Sequence, residues 1–172
     1  MGIAGAGKGT QAKMLVDRDG YSVVATGDTF RKYATEEQRD RMLKGFLLQD
    51  EDIYEMLSKA FDAVPDLKKC ILDGAPRSIP QADWLLNEAD KRQFNITAVV
   101  HINVSEDVVR HRLLDRGRSD DTDAGITKRF EEYRNSTVPI LDHLKEKGIT
   151  VFDVDGDQGP VAVHDQILRC IE

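Results

Sequence analysis

Apolar positions recur along the chain with two periods, and the alternation between those periods lays out the elements. Between Lys8 and Asp19, the residues Ala12, Leu15 and Val16 stand at helical spacing, and Gly20 supplies a stop. Tyr21-Ser22-Val23-Val24 predicts a short strand. Thr35-Glu36-Glu37-Gln38 has the spacing of a capping box, in which side chains satisfy the open backbone groups of a helix start, so a small helix is expected there. Ile53, Met56, Leu57, Ala60 and Phe61 form an apolar stripe that Pro65 closes. Cys70-Ile71-Leu72 is a compact apolar strand, interrupted by Asp73-Gly74. Ser78, Pro80 and Gln81 open a helix expected to reach about Lys91.

The second half repeats the alternation. Ala98-Val99-Val100-His101-Ile102 is the clearest strand, and Ser105 is expected to cap the helix after it. An Arg/Asp-rich turn over 116–123 leads into a long helical stretch, bent or broken near Pro139 and ended at Gly148. Thr150-Val151-Phe152-Asp153-Val154 is the last strand, and Pro160 introduces the final helix. Strands alternating with helices predict an α/β fold with a parallel sheet. Ligands of such sheets bind beyond the carboxyl ends of the strands. The glycine-rich start, Asp73-Gly74, Asn103 and Asp155-Gly156 should therefore gather on one rim.

Composition narrows the class. A chain of 172 residues with 40% hydrophobic and 32% charged residues suits one globular domain. A net charge of −7 argues against a general attraction to nucleic acid. No apolar run approaches a membrane span, and the first residues lack the basic and apolar regions of a signal peptide, so a cytoplasmic protein is expected; the chain is also expected to be a monomer. Cys70 and Cys170 lack C-x-x-C spacing and are expected as buried free thiols.

Two segments carry chemistry. Gly2-Ile3-Ala4-Gly5-Ala6-Gly7-Lys8-Gly9-Thr10 reads as a phosphate-cradling loop. Its glycines let backbone N–H groups crowd around an anion, Lys8 adds a mobile positive charge, and the helix that follows points its N-terminus at the phosphates. Gly9 takes the usual Ser/Thr position, with Thr10 after it. Between 110 and 129 the acidic chain turns basic, with Arg110, Arg112, Arg116, Arg118, Lys128 and Arg129. Arg112 and Arg116 lie one helical turn apart and project from one face, whereas Gly117 frees Arg118. Guanidinium forks aimed at one point suit a phosphoryl group in transit. The bland alternative is a solvated helix pairing with Asp115, Asp120, Asp121 and Asp123. Asp73, at a strand end facing the glycine loop, can hold the water shell of Mg²⁺, and Arg77 can grip a second phosphate.

These pieces in this order resemble the adenylate kinase family of nucleoside monophosphate kinases, from Gly2 to the end of the chain. The family's glycine loop stands as Gly2 to Thr10 with Ala4 for proline, and its T-G-D-x-x-R segment as Thr26-Gly27-Asp28-Thr29-Phe30-Arg31. Its D-G-F-P-R-T-x-x-Q segment stands as Asp73 to Gln81, with Ala75 for Phe and Ser78 for Thr. Arg112, Arg116-Gly117-Arg118, Asp120-Asp121 and Arg129 match the lid-flanking pattern, and Val154-Asp155-Gly156 the closing segment.

The resemblance implies a P-loop three-layer α/β/α fold in one kinase domain over 1–172. That domain would carry a small helical acceptor-binding insertion at about 26–48 and a short, zinc-free lid at about 112–121. It implies ATP with its phosphates on Gly5, Ala6, Gly7, Lys8, Gly9 and Thr10. The adenine of ATP would lie near Arg112 and the backbone from Gly156 to Gln158. The acceptor AMP would use Thr26, Arg31, the backbone from Phe46 through Leu47 to Leu48, Gly74, Arg77 and Gln81. Arg116, Arg118 and Arg129 would surround the phosphoryl group, Asp120 would anchor the closed lid, and Thr10 and Asp73 would attend Mg²⁺. The expected reaction is ATP plus AMP to two ADP, with nucleotides as the partners.

The strand that precedes the glycine loop in this family is expected to be missing, because only Met1 stands before Gly2. Its place would be between the strands at Cys70–Leu72 and Ala98–Ile102. Two other readings stand beside the main one. A pyrimidine nucleotide kinase would use the same scaffold, though such kinases tend to carry Ala and Asn where Thr26 and Gln81 stand. A truncated, non-catalytic nucleotide-binding module would fit the abrupt start.

Overall fold

The computed structural model describes residues 1–38, 49–117 and 122–171, with side chains at all of these except 27, 28 and 31. Helix α1, Lys8–Asp19, starts at the glycine loop and ends where Gly20 turns left-handed and donates its N–H to Leu15 O. Strand β1 is Ser22–Ala25, and α2, Thr26–Tyr33, follows without a loop. The capping box at Thr35 forms: Gln38 N–H donates to Thr35 Oγ1, and Thr35 N–H donates to Gln38 Oε1. Helix α3, Asp50–Asp62, buries the predicted Met56, Leu57, Ala60 and Phe61. Strand β2 is Cys70–Asp73, and α4 is Ile79–Arg92, its start capped by Ser78 Oγ accepting from Gln81 N–H. Strand β3 is Val99–Asn103, α5 is Glu106–Arg116, and Gly117 stops α5 in the left-handed region.

The long helical stretch divides into α6, Asp123–Glu132, a π-turn over Tyr133–Thr137, and α7, Val138–Glu146. The irregularity thus comes before Pro139 rather than at it. Proline has no N–H to give and its ring collides with the carbonyl one turn back, so the preceding turn widens to absorb the misfit. Strand β4, Val151–Asp155, and α8, Pro160–Ile171, complete the fold. Ser105 stands at the N-cap of α5 as expected, but its hydroxyl makes no cap hydrogen bond. Its backbone N–H donates instead to Asp157 Oδ1 at 2.9 Å, which ties the helix start to the loop after β4.

All strand pairing is parallel. β1 runs beside β2 with Ser22 opposite Cys70, and β3 beside β4 with Val99 opposite Val151. Among the described residues the two pairs are separate sheets. Met1 lies on the edge of β3 away from β4: its amino group donates to Val100 O, and Ile102 N–H donates to its carbonyl at 2.9 Å.

Alternate strand residues face opposite layers, as the period of two requires. On one side Ile71, Val100, Ile102 and Val154 pack with Leu15 of α1, Val109 and Leu113 of α5, Ile126 and Phe130 of α6, and Val163 and Ile167 of α8. On the other, Val24 and Leu72 meet Leu57 and Phe61 of α3 and Leu85 of α4. Val99 and Met1 meet Ala82 of α4 with Ile140 and Leu144 of α7. The result is the expected three-layer α/β/α arrangement, with every strand directing its carboxyl end to one rim. Cys70 and Cys170 are free but half-buried, less enclosed than the sequence suggested. Among the described residues no helix is long and apolar enough to cross a membrane.

Candidate active site

The rim carries a cleft of about 850 Å³. Its walls are the glycine loop from Ala4 to Thr10, Asp73 at the end of β2, Arg112 and Arg116 of α5, and the segment from Gly156 to Pro160. Four elements distant in sequence therefore meet at one place, as the parallel topology demands.

Within the loop, Gly7 caps α1 with φ 95, a left-handed conformation that bulkier residues resist. The turn is closed by Ala6 N–H donating to Ile3 O at 3.1 Å. The Lys8 ammonium folds back to donate to Gly2 O at 2.7 Å and Ile3 O at 2.9 Å. Burial lowers its pKa, the Asp73 carboxylate acts in the opposite sense, and Arg77 adds to the lowering. A partly desolvated cation held by neutral carbonyls gains from exchanging them for anionic phosphate oxygens.

The opposite wall is tied down by hydrogen bonds. Arg112 Nη2 donates to Gly156 O at 2.9 Å, joining α5 to the loop after β4. Gly156 N–H donates to Asn103 O at 2.7 Å. Asp155 accepts from Gln158 Nε2 at 2.9 Å and from Asp157 N–H at 3.0 Å. Those bonds, the Gln158 amide first, hold its carboxyl below the usual carboxylate range. Gln158 lines the cleft while its amide is engaged on Asp155.

Thr10 and Asp73 both line the cleft, a hydroxyl and a carboxylate. Among the described residues no three His, Cys, Asp or Glu side chains gather as a metal cage. Two hard oxygen donors beside a phosphate loop fit Mg²⁺, which keeps much of its water and takes further oxygens from phosphates.

A second cluster adjoins the first through Arg77. Gly74 has φ 90, and a side-chain carbon there would run into Thr26 Oγ1, so the starts of α2 and of the loop after β2 press together. Arg77 Nε donates to Gly74 O at 2.8 Å. Arg77 N–H donates to Gln81 Oε1 at 2.8 Å, so Thr26, Gly74, Arg77 and Gln81 stand together in one group. Arg129 is half-buried on α6 and is not among the residues lining the cleft. Phe46, Leu47, Leu48, Arg118 and Asp120 fall outside the described residues, as does the side chain of Arg31.

Gln11 and Asp50 belong to the site without standing in any of the motifs. Gln11 is buried on the cleft side of α1, with Nε2 donating to Pro160 O at 2.9 Å. Its signal was available: it stands four residues before Leu15, a polar residue on the buried stripe. Asp50 begins α3 and accepts from Gln81 Nε2 at 2.7 Å across 31 positions of sequence, a pairing no local pattern announces.

Comparison with known proteins agrees with this geometry. The family model described as adenylate kinase matches residues 1–149. An adenylate kinase of a Mycobacterium species (strain MCS) is 38% identical over 88% of this chain and 87% of its own length. One from Corynebacterium urealyticum is 34% identical over 91% of this chain and 89% of its own. One from Tropheryma whipplei (strain Twist) is 34% identical over 97% and 92%.

Proposed function

The chain belongs to the adenylate kinase family, and we propose how its residues divide the work of that enzyme. It is a nucleoside monophosphate kinase that moves the terminal phosphoryl group of ATP reversibly to AMP, giving two ADP. ATP lies in the large cleft, its phosphates on Gly5 to Thr10 and its adenine between Arg112 and the Gly156–Gln158 segment. AMP lies beside Thr26, Gly74, Arg77 and Gln81, with Arg31 and the backbone of 46–48 completing its site. The observation that carries this reading is that the two clusters are adjacent: Asp73 lines the cleft with Lys8, and Gly74, the next residue, meets Thr26 and accepts from Arg77.

Phosphoryl transfer needs little proton traffic and much positioning. Lys8 exchanges its carbonyl partners for the oxygens between the two outer phosphates and follows the charge as it shifts. Arg77 holds the acceptor phosphate in line, and Arg116, with Arg118 and Arg129 brought up by closure of the 112–121 lid, takes the equatorial charge. Asp120 anchors that closed lid, which keeps water from the phosphoryl group. Thr10 and Asp73 would hold Mg²⁺, which neutralises phosphate charge when bound.

The proposal extends to a cytoplasmic monomer. Among the described residues the large exposed apolar side chains, Val23, Ile79, Leu114, Val138 and Val161, lie in separate elements rather than in one segment, and both cysteines are free thiols.

Acceptor selectivity is the direct test. An unmatched buried reader costs about 1–3 kcal/mol, so AMP should exceed CMP, UMP and GMP at least about tenfold in kcat/KM with ATP as donor. Equal use of CMP would move the protein to the pyrimidine kinases. Gly74→Ala tests the acceptor site from the backbone side. The strained φ and the approach to Thr26 should raise the KM for AMP about tenfold, as expected for about 1–3 kcal/mol of strain. The KM for ATP should change less than about twofold on that scale. Equal rises in both would place Gly74 outside the acceptor site.

A further inference from the structure

We infer that Asp50 is a positioning residue for acceptor choice: it fixes which way the Gln81 amide faces, and so which base the enzyme accepts. The inference rests on the reading of Gln81 as the residue that meets the acceptor base. An amide side chain carries a donor end and an acceptor end of nearly the same shape, and a free one reads either pattern of base edge by flipping. Gln81 is not free. Its Oε1 accepts from Arg77 N–H at 2.8 Å, and its Nε2 donates to Asp50 Oδ1 at 2.7 Å. A backbone N–H can only donate and an ionised carboxylate can only accept, so the flipped amide would lose both bonds and face two like partners.

Asp50 is itself held. Its Oδ2 accepts from Ser78 Oγ at 3.4 Å, and that same Oγ accepts from Gln81 N–H at 3.2 Å. The first turn of α3 is braced further by Asp52, which accepts from Gln38 Nε2 at 2.7 Å and from Gln49 N–H at 3.3 Å. One partner of Gln81 is thus a backbone N–H just before the N-cap of α4, and the other is the side chain of the first residue of α3, itself bonded by Ser78.

After these bonds Gln81 retains one N–H and one oxygen lone pair, side by side and in fixed order. That pair matches a base edge offering an amine beside a ring nitrogen acceptor, as adenine does. It mismatches hypoxanthine and guanine, where a carbonyl oxygen and a ring N–H stand in those places. Locking the amide thus converts a residue able to read both edges into one that reads a single edge, and the penalty falls on the 6-oxo purines.

The experiment compares AMP and IMP as acceptors at saturating ATP for the parent, Gln81→Ala, Asp50→Ala, Asp50→Asn and the Gln81→Ala/Asp50→Ala double variant. Asp50→Ala should lower the AMP-over-IMP ratio of kcat/KM about tenfold. The loss should lie mainly in the KM values for the acceptors, with the KM for ATP within about twofold of the parent. Asp50→Asn retains an acceptor oxygen and the side-chain volume, so it folds as the parent does and should give an intermediate ratio. The double variant should lose no more selectivity than Gln81→Ala alone, because Asp50 acts only through that amide.

A purely structural Asp50 would lower the melting temperature and leave the ratio unchanged, and that result overturns the inference. If Gln81→Ala collapses the ratio while both Asp50 variants keep it, this inference alone fails. If Gln81→Ala itself keeps the ratio, the reading of Gln81 fails and takes the inference with it.

Discussion

Lys8→Ala is expected to lower kcat by about 10³-fold, equivalent to about 4 kcal/mol of transition-state stabilisation. The ammonium is partly desolvated, so its charge acts on phosphate oxygens with less screening than a surface lysine would. Its present partners are the carbonyls of Gly2 and Ile3, two neutral groups beside an open cleft that water can serve when the side chain is gone. The substitution should therefore leave the melting temperature within a few degrees of the parent. The KM for ATP should rise much less than kcat falls, since the interaction strengthens as charge moves toward the bridging oxygen. Steady-state kinetics with a thermal melt on the same preparation checks both halves. A variant retaining near-parental turnover would remove the glycine loop from the chemistry.

The second large effect concerns stability. Arg92→Ala should cost about 3 kcal/mol, in the range found when a buried ion pair loses one partner. Glu88 is 8% exposed and depends on Arg92 Nε, which donates to it at 2.6 Å. The same guanidinium donates to Asp62 Oδ1 at 2.5 Å and to Ser58 Oγ at 2.8 Å, joining α3 to α4. Its hydrogen bond to Asp62, followed by that to Glu88, raises the Arg92 pKa further above an already high value, so the fork stays charged throughout the accessible pH range. Lys91 stands 3.7 Å from Glu88 and supplies part of the missing charge, which keeps the loss at the low end. Urea denaturation should register the change as a lower midpoint with an unaltered slope. Glu88→Gln in the Arg92→Ala background should recover part of it, because a neutral amide tolerates burial better than an orphan carboxylate. A loss below about 0.5 kcal/mol would mean that the bridge behaves as a solvated surface pair.

The contrast between these two sites marks what the chain reveals before folding. Lys8 announces itself, because a phosphate loop is a local device whose glycines, lysine and following helix are consecutive. Gly20, Gly117 and the Ser78–Gln81 cap were legible for the same reason: each acts within one helical turn. The Arg92 bridge was not, since Ser58 and Asp62 come from a helix some thirty residues earlier and look like ordinary surface residues in the sequence. Asp50 and Gln81 are separated by a similar distance. The triad of buried His101, exposed Asp153 and half-buried Tyr133 likewise joins two neighbouring strands to the π-turn and has no sequence signature. Pro139 promised a break, but where the misfit settled depended on the turn before it, which could widen. Arg112 and Arg116 lie one turn apart on α5 and both line the cleft, while Arg129 stands on α6 outside the cleft lining.

One cleft and its neighbour are expected to bring ATP and AMP together and exclude water from the transfer. Phosphorus NMR of the protein with Mg²⁺, ATP and AMP follows every phosphate at once. The expected result is loss of ATP and AMP in equal amounts, appearance of two ADP for each ATP consumed, no free phosphate above the background rate, and the same equilibrium approached from ADP alone. Release of phosphate from ATP with AMP untouched, or bound nucleotide without turnover, would contradict it.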